Sequence, residues 1–224
     1  MKHRLPFIVL LCCVALGLGV RLSLVMSSDE AIVRVVPDDA FYYLAVARNI
    51  AAGAGSTFDG VYFTNGYHPL WMLLLIPATS LDTGSYLRFA LLLGVSLNLV
   101  AALILFKGLR QAVRSEWLAV FGAGLYFMWP PVGGASLNGL ETNLTSALFA
   151  ATFYTCVIMG SPLVRYEIIV GGLLAALFLA RTDTSFYVGA FSIIVLLRAR
   201  PGYRWRRAIV VGGIAALGVT PWLL

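Results

Sequence analysis

Hydrophobic positions along this chain come in long unbroken runs rather than in the alternation of a half-buried strand. The runs are Leu5–Met26, Leu87–Phe106, Trp117–Val132, Glu141–Met159, Leu163–Ala180, Ser185–Leu197 and Ala208–Leu224. Runs near ~20 apolar residues match the hydrocarbon thickness of a bilayer. The pattern therefore predicts an all-α polytopic membrane protein, one transmembrane domain over 1–224 with about seven spans. An eighth run, Pro69–Leu81, holds about 13 residues. That is too short to span and suits a re-entrant or interfacial helix. The first run exceeds the ~7–15 residues of a signal-peptide core, so it reads as an uncleaved first helix.

Composition strengthens this reading. Hydrophobic residues make up 60% of the chain and charged residues 12%, with a mean hydropathy of +0.90. A soluble domain carries about 25% charge. The net charge of +6 sits in short loops between the apolar runs, where the positive-inside rule accounts for it. Nucleic acid is therefore not expected as a partner, and the bilayer is. Cys12, Cys13 and Cys156 lie within apolar runs at no zinc or disulfide spacing and read as small buried hydrophobes.

Charge also sets sidedness. With the N-terminus cytoplasmic and Pro69–Leu81 not crossing, Lys2, Arg4, Lys107, Arg110, Arg114, Arg165, Arg198, Arg200, Arg204, Arg206 and Arg207 face inward, eleven of the 16 basic residues. Asp29, Glu30, Asp38, Asp39, Asp59, Asp82, Glu141 and Asp183 face outward, eight of the 10 acids. If Pro69–Leu81 crossed, Lys107, Arg110 and Arg114 would move outside, against the rule. The prediction is one long outer segment, about 27–86, with juxtamembrane helices at about 38–52 and 69–81. Acids contribute little to topology, so their gathering outside needs a further cause.

The outer segment has three parts. Pro37-Asp38-Asp39 opens a run of helix formers that Gly53 ends. Pro suits a helix start, and acids in the first turn favour the dipole. A glycine-rich turn, Gly53–Gly60, follows; it lacks the Lys-Ser/Thr ending of a phosphate loop. Then Thr64-Asn65-Gly66-Tyr67-His68-Pro69-Leu70-Trp71 leads into the short helix, with aromatics suited to the interfacial belt. Asn138 and Glu141 have cap-like spacing. Arg181 and Asp183 read as a cap with a local ion pair. Glu141 and Asp183 also sit at span ends, where they could share an outer cavity with Asp38. An ionisable group at a membrane face is a functional hypothesis by default.

These residues resemble the GT-C superfamily of polyprenyl-phosphate-sugar glycosyltransferases. In that superfamily an acid pair follows the first transmembrane helix on the outer side and opens a juxtamembrane helix with an aromatic soon after. Here it is Asp38-Asp39-Ala40-Phe41-Tyr42-Tyr43, continuing through Ala47-Arg48-Asn49 to Gly53. The arabinofuranosyltransferase-like branch is similar further on, through Gly66-Tyr67-His68-Pro69-Leu70-Trp71; His68 departs from its pattern. In the protein O-mannosyltransferase and aminoarabinose transferase branches a Lys stands where Tyr67 stands, so no Lys-to-phosphate contact carries over. Glu141 matches the second outer acid.

The resemblance implies a GT-C-like helix bundle that moves a sugar from a polyprenyl-phosphate donor to a hydroxyl of a glycan, lipid or protein acceptor, with inversion, on the extracytoplasmic side of a bacterial inner membrane. Asp38 would be the base and Asp39 would position the acceptor. Tyr42, Arg48, Tyr67, His68, Glu141, Arg181 and Asp183 would bind substrate. A divalent cation (magnesium, manganese or calcium) on Asp39 and Glu141 is compatible with this chemistry. Arg48, ten residues after Asp38, lies about 80° around the helix from it and is a candidate phosphate contact. The rival readings are a transporter or flippase for a lipid-linked substrate, and a non-catalytic or truncated relative. GT-C enzymes are usually longer, so the chain reads as an N-terminal membrane portion.

Overall fold

A computed structural model describes residues 5–159 and 164–223. Among these residues there is no strand, only an isolated bridge between Thr57 and Phe63. The all-α expectation holds. Lys2, Arg4, Leu163 and Leu224, used above for sidedness and span ends, lie outside the described residues.

Helix α1 (Leu5–Val25) leads to a short α2 (Asp29–Val33) and then α3 (Asp38–Ala51). Helix α4 (Pro69–Leu75) continues as a 3₁₀ turn, Ile76–Ala78, matching the expected short helix. Helix α5 (Thr83–Val113) has 31 residues, longer than its apolar run at both ends. At 1.5 Å per residue it is about 46 Å long. Asp82 starts it, its carboxylate accepting from the Ser85 N–H at 3.1 Å.

The run Trp117–Val132 does not form one helix. It breaks at Trp129 into α6 (Glu116–Met128) and α7 (Pro130–Ala135), because Pro130 and Pro131 cannot donate the backbone bonds a continuing helix needs. Helix α8 (Thr142–Phe153) runs on as a π-helical turn, Tyr154–Met159. Helices α9 (Val164–Ala180), α10 (Ser185–Leu197) and α11 (Arg204–Leu223) complete the described chain. Among the described residues, three helices are long and apolar enough to cross a membrane: α1, α5, and α8 with its π turn. Glu116–Met128 and Thr182–Leu197 are apolar but shorter.

Helix α5 lies centrally, against α1, α6 and α8, while α9 pairs with α11. The α9–α11 approach needs glycine. A Cβ on Gly171 would lie 2.8 Å from Ile214, and one on Gly218 would lie 2.7 Å from Ala175. Small residues of this kind let two backbones close on each other. At the other end, Trp71, Met72 and Leu75 of α4 pack with Ala40, Tyr43 and Leu44 of α3 and with the first turns of α5. This core packs α3 and α4 against the start of α5.

One buried charge joins the helices at the α6–α7 break. Arg21 of α1 is 4% exposed. Its Nε donates to Ser136 Oγ at 2.9 Å, and its Nη1 to the Gly17 carbonyl at 3.0 Å. Its Nη2 donates to the Phe127 carbonyl at 2.7 Å and to Asn98 Oδ1 at 3.4 Å. The Phe127 carbonyl belongs to the last turn of α6, where helical partners run out. The guanidinium therefore satisfies a helix end and sits at the negative pole of its dipole.

Candidate functional site

The outer acids divide into two groups. Asp29 pairs with Arg88 at 2.6 Å, and Glu30 pairs with Arg34 one turn on. Asp59 accepts the Val61 and Tyr62 N–H groups, each at 2.9 Å, and these bonds hold its carboxyl below its usual range. Asp82 caps α5, and bonds to Ser85 lower its carboxyl likewise. Local structure accounts for these four. Asp38, Asp39, Glu141 and Asp183 remain.

Pro37 stands extended before α3, so Asp38 and Asp39 fill the first turn. Both are exposed, and Asp38 accepts the Asp39 N–H at 3.0 Å. The next residue, Ala40, is buried against Gly139; a Cβ there would come within 3.1 Å. Gly139 also has φ +69°, a left-handed conformation that favours glycine. Its carbonyl accepts from Trp71 Nε1 at 3.2 Å. The Asn138–Glu141 loop is thus pinned by α3 on one side and α4 on the other.

Glu141 emerges from this loop nearly buried, its side chain 8% exposed. It does not make the capping box expected from its spacing: Asn138 turns back to the Leu140 N–H and Thr142, and Glu141 makes no cap bond. Its Oε1 lies 3.7 Å from His68 Nε2 and 3.7 Å from Arg181 Nη1. These are Coulombic separations rather than hydrogen bonds. His68 stands at the N-cap of α4, and its N–H donates to the Tyr43 hydroxyl at 2.9 Å. Burial, with Glu141 as a neighbour, pushes the Tyr43 phenol up from its ordinary value.

Arg181 follows the end of α9. It binds Asp183 through both oxygens, Nε to Oδ1 at 3.1 Å and Nη2 to Oδ2 at 2.8 Å. This pair lowers the Asp183 carboxyl and raises Arg181. The expected local ion pair is present, and the same guanidinium reaches Glu141. Four segments far apart in sequence therefore meet at one place.

Three expected contacts fall elsewhere. Arg48 donates to Thr83 Oγ1 at 3.1 Å and to the Leu81 carbonyl at 2.9 Å, so it fastens the approach to α5. The Tyr42 hydroxyl bonds Thr64 Oγ1 at 2.6 Å, and its ring stacks on Phe58. Tyr67 bonds Ser56 at 2.8 Å and leans on Trp222. The hydroxyl at the cluster is that of Tyr43, which the sequence reading passed over. Its signal was present: Tyr43 lies one helical turn after Asp39. Among the described residues no three His, Cys, Asp or Glu side chains gather to hold a metal ion. Glu141 faces His68 and Arg181.

A cavity of about 600 Å³ opens beside the cluster, lined by Arg181, Asp183, Thr142, Thr145, Ser146 and Tyr187 among others. A second, apolar cavity of about 670 Å³ runs between α5 and α8. Thr145, Ser146 and Tyr187 line both. The apolar one follows α8 from Thr145 to Ile158, about 20 Å at helical rise. Comparison with protein-family models, with curated proteins and with solved structures found no match.

Proposed function

We propose that this chain is the membrane portion of a glycosyltransferase that takes its sugar from a polyprenyl-phosphate donor on the outer side of the bilayer. The observation that carries this reading is the junction of the two cavities. A polar chamber with a fixed guanidinium meets a long apolar groove at Thr145, Ser146 and Tyr187. That combination suits an amphiphile with an anionic head and a hydrocarbon chain. The reading takes α9, α10 and α11 as spans beside α1, α5, α6 and α8, with a GT-C-like arrangement.

In this reading the donor's phosphate exchanges with Asp183 on the Arg181 fork, a bidentate site that fits phosphate as well as carboxylate. His68 adds a second donor. The acceptor hydroxyl attacks the anomeric carbon, the carbon–phosphate oxygen bond breaks, and polyprenyl phosphate leaves. The acceptor proton passes to Asp38, exposed in the first turn of α3. Glu141, beside Tyr43, His68 and Arg181, orients sugar hydroxyls.

The test uses the protein in liposomes with a panel of polyprenyl-phosphate sugars and an acceptor pool. One donor should be consumed, and Asp38→Asn should lower its consumption at least about 100-fold with insertion unchanged. Near-normal turnover in that variant removes Asp38 from the base role. A donor that crosses the bilayer unconsumed marks a carrier instead.

A further inference from the structure

The opposite end of the molecule carries a basic surface that sugar transfer does not use. Helices α9 and α11 begin side by side, joined by Arg207 Nε to Glu167 Oε1 at 3.2 Å. Glu167 is 3% exposed; the other acid on this side is Glu116, at the start of α6. Among the described residues the second oxygen of Glu167 has no hydrogen bond and lies 3.9 Å from Arg206. Arg198 is committed elsewhere: it donates to the carbonyls of Cys156 and Val157 in the π turn. Arg165, Arg200 and Arg204 are exposed and have no ion pair or hydrogen bond among the described residues.

This arrangement is electrostatically unfavourable by itself. Helix α11 has no acid in its first turn, yet Arg204, Arg206 and Arg207 crowd the positive pole of its dipole. Charge complementarity calls for anions. The aromatics say where they come from: Trp205 is 83% and Tyr203 55% exposed, and both residue types favour the headgroup level of a bilayer. Freely soluble anions need no such aromatic flank.

We propose that Arg165, Arg200, Arg204 and Arg206, flanked by Tyr203 and Trp205, form a binding site for the phosphodiester headgroups of anionic lipids in the inner leaflet. The site needs the bilayer placement of α9–α11 but not sugar transfer, so either reading can fail alone. It anchors the parallel starts of α9 and α11, whose outer ends carry Arg181 and Trp222.

The test is lipid retention by the full chain, purified and placed in mixed nanodiscs of dioleoyl phosphatidylglycerol and dioleoyl phosphatidylcholine, read by native mass spectrometry. The wild type should retain phosphatidylglycerol selectively. Arg165→Gln/Arg200→Gln/Arg204→Gln should bind it about 100-fold more weakly, given the usual contribution of each basic residue near an anionic surface. Lys107→Gln/Arg110→Gln/Arg114→Gln, which removes as much charge from the inner end of α5, should retain it. Equal retention of the two lipids overturns the site, as does equal loss in both triple variants. Displacement of the lipid by inorganic phosphate overturns its assignment to lipid.

Discussion

The arginines at the two ends of this molecule are used in opposite ways. At the end that holds Glu141, Arg34, Arg48, Arg88 and Arg181 each hold defined partners: Glu30, the Leu81–Thr83 approach to α5, Asp29, and Asp183 with Glu141. At the other end Arg198 and Arg207 are held by the π turn and Glu167, but Arg165, Arg200 and Arg204 are exposed with no ion pair or hydrogen bond among the described residues. A guanidinium fixed in a bidentate fork has lost its rotamer freedom before any ligand arrives, so it can discriminate by geometry. A free one adapts to a fluid, variable anion and contributes mostly charge. In the readings proposed above, the same residue type serves precision at one end and anchorage at the other.

This contrast can be broken by exchange of phenotypes. Arg181→Gln should lower donor turnover about 10²–10³-fold, the usual loss when one oriented donor to a developing anion is removed, while leaving phosphatidylglycerol retention intact. Arg204→Gln should leave turnover intact. If Arg204→Gln slows transfer as much as Arg181→Gln, the two ends are not separate in function.

A third arginine sharpens the comparison because it faces neither surface. Arg21→Met leaves the Phe127 carbonyl, Ser136 and Asn98 without their donor. The expected cost is about 3 kcal/mol, a fall in thermal midpoint of about 6–12 °C for a chain of this size. Scanning calorimetry or a thiol-reactive melt in detergent measures it. A shift under a degree would mean that water replaces the guanidinium.

The smallest effect concerns Asp183. Its folded carboxyl titrates below its ordinary value because Arg181 binds it. It therefore contributes stability above the ordinary carboxylate range, and that contribution is lost as pH falls through the lowered value. The melting temperature of wild type and Asp183→Asn should converge on acidification below about pH 4 and stay apart near neutrality. With Asp183 mostly exposed, the separation is small.

Much of the outer layer was legible because its signals are local. Pro37, the acid pair and Gly53 bracket α3 within a few residues, and the shortness of Pro69–Leu81 announced the short helix α4. Glu141, His68, Arg181 and Asp183 were each suspect as charges at apolar boundaries, and they do meet. What the sequence hid depends on helix phase and distance. Tyr42 and Tyr43 differ by 100° around α3, and only the packing of α4 decides which hydroxyl reaches Glu141. Arg48 had several candidate partners on the outer side; the fold hands it to Leu81 and Thr83. The seven apolar runs looked alike, yet the proline pair after Trp129 broke one of them, and among the described residues three helices have the length and hydropathy to cross a membrane.

In the proposed bilayer placement the contacts of Arg21 carry a consequence for assembly. Arg21 lies four residues from the end of α1, where a helix spanning alone would let its guanidinium snorkel to the headgroups. The Phe127 carbonyl and the Ser136 hydroxyl arrive 106 and 115 residues later. In that placement the guanidinium would move into the protein interior only once the break between α6 and α7 supplies these partners, so the first helix would be one of the last to be locked.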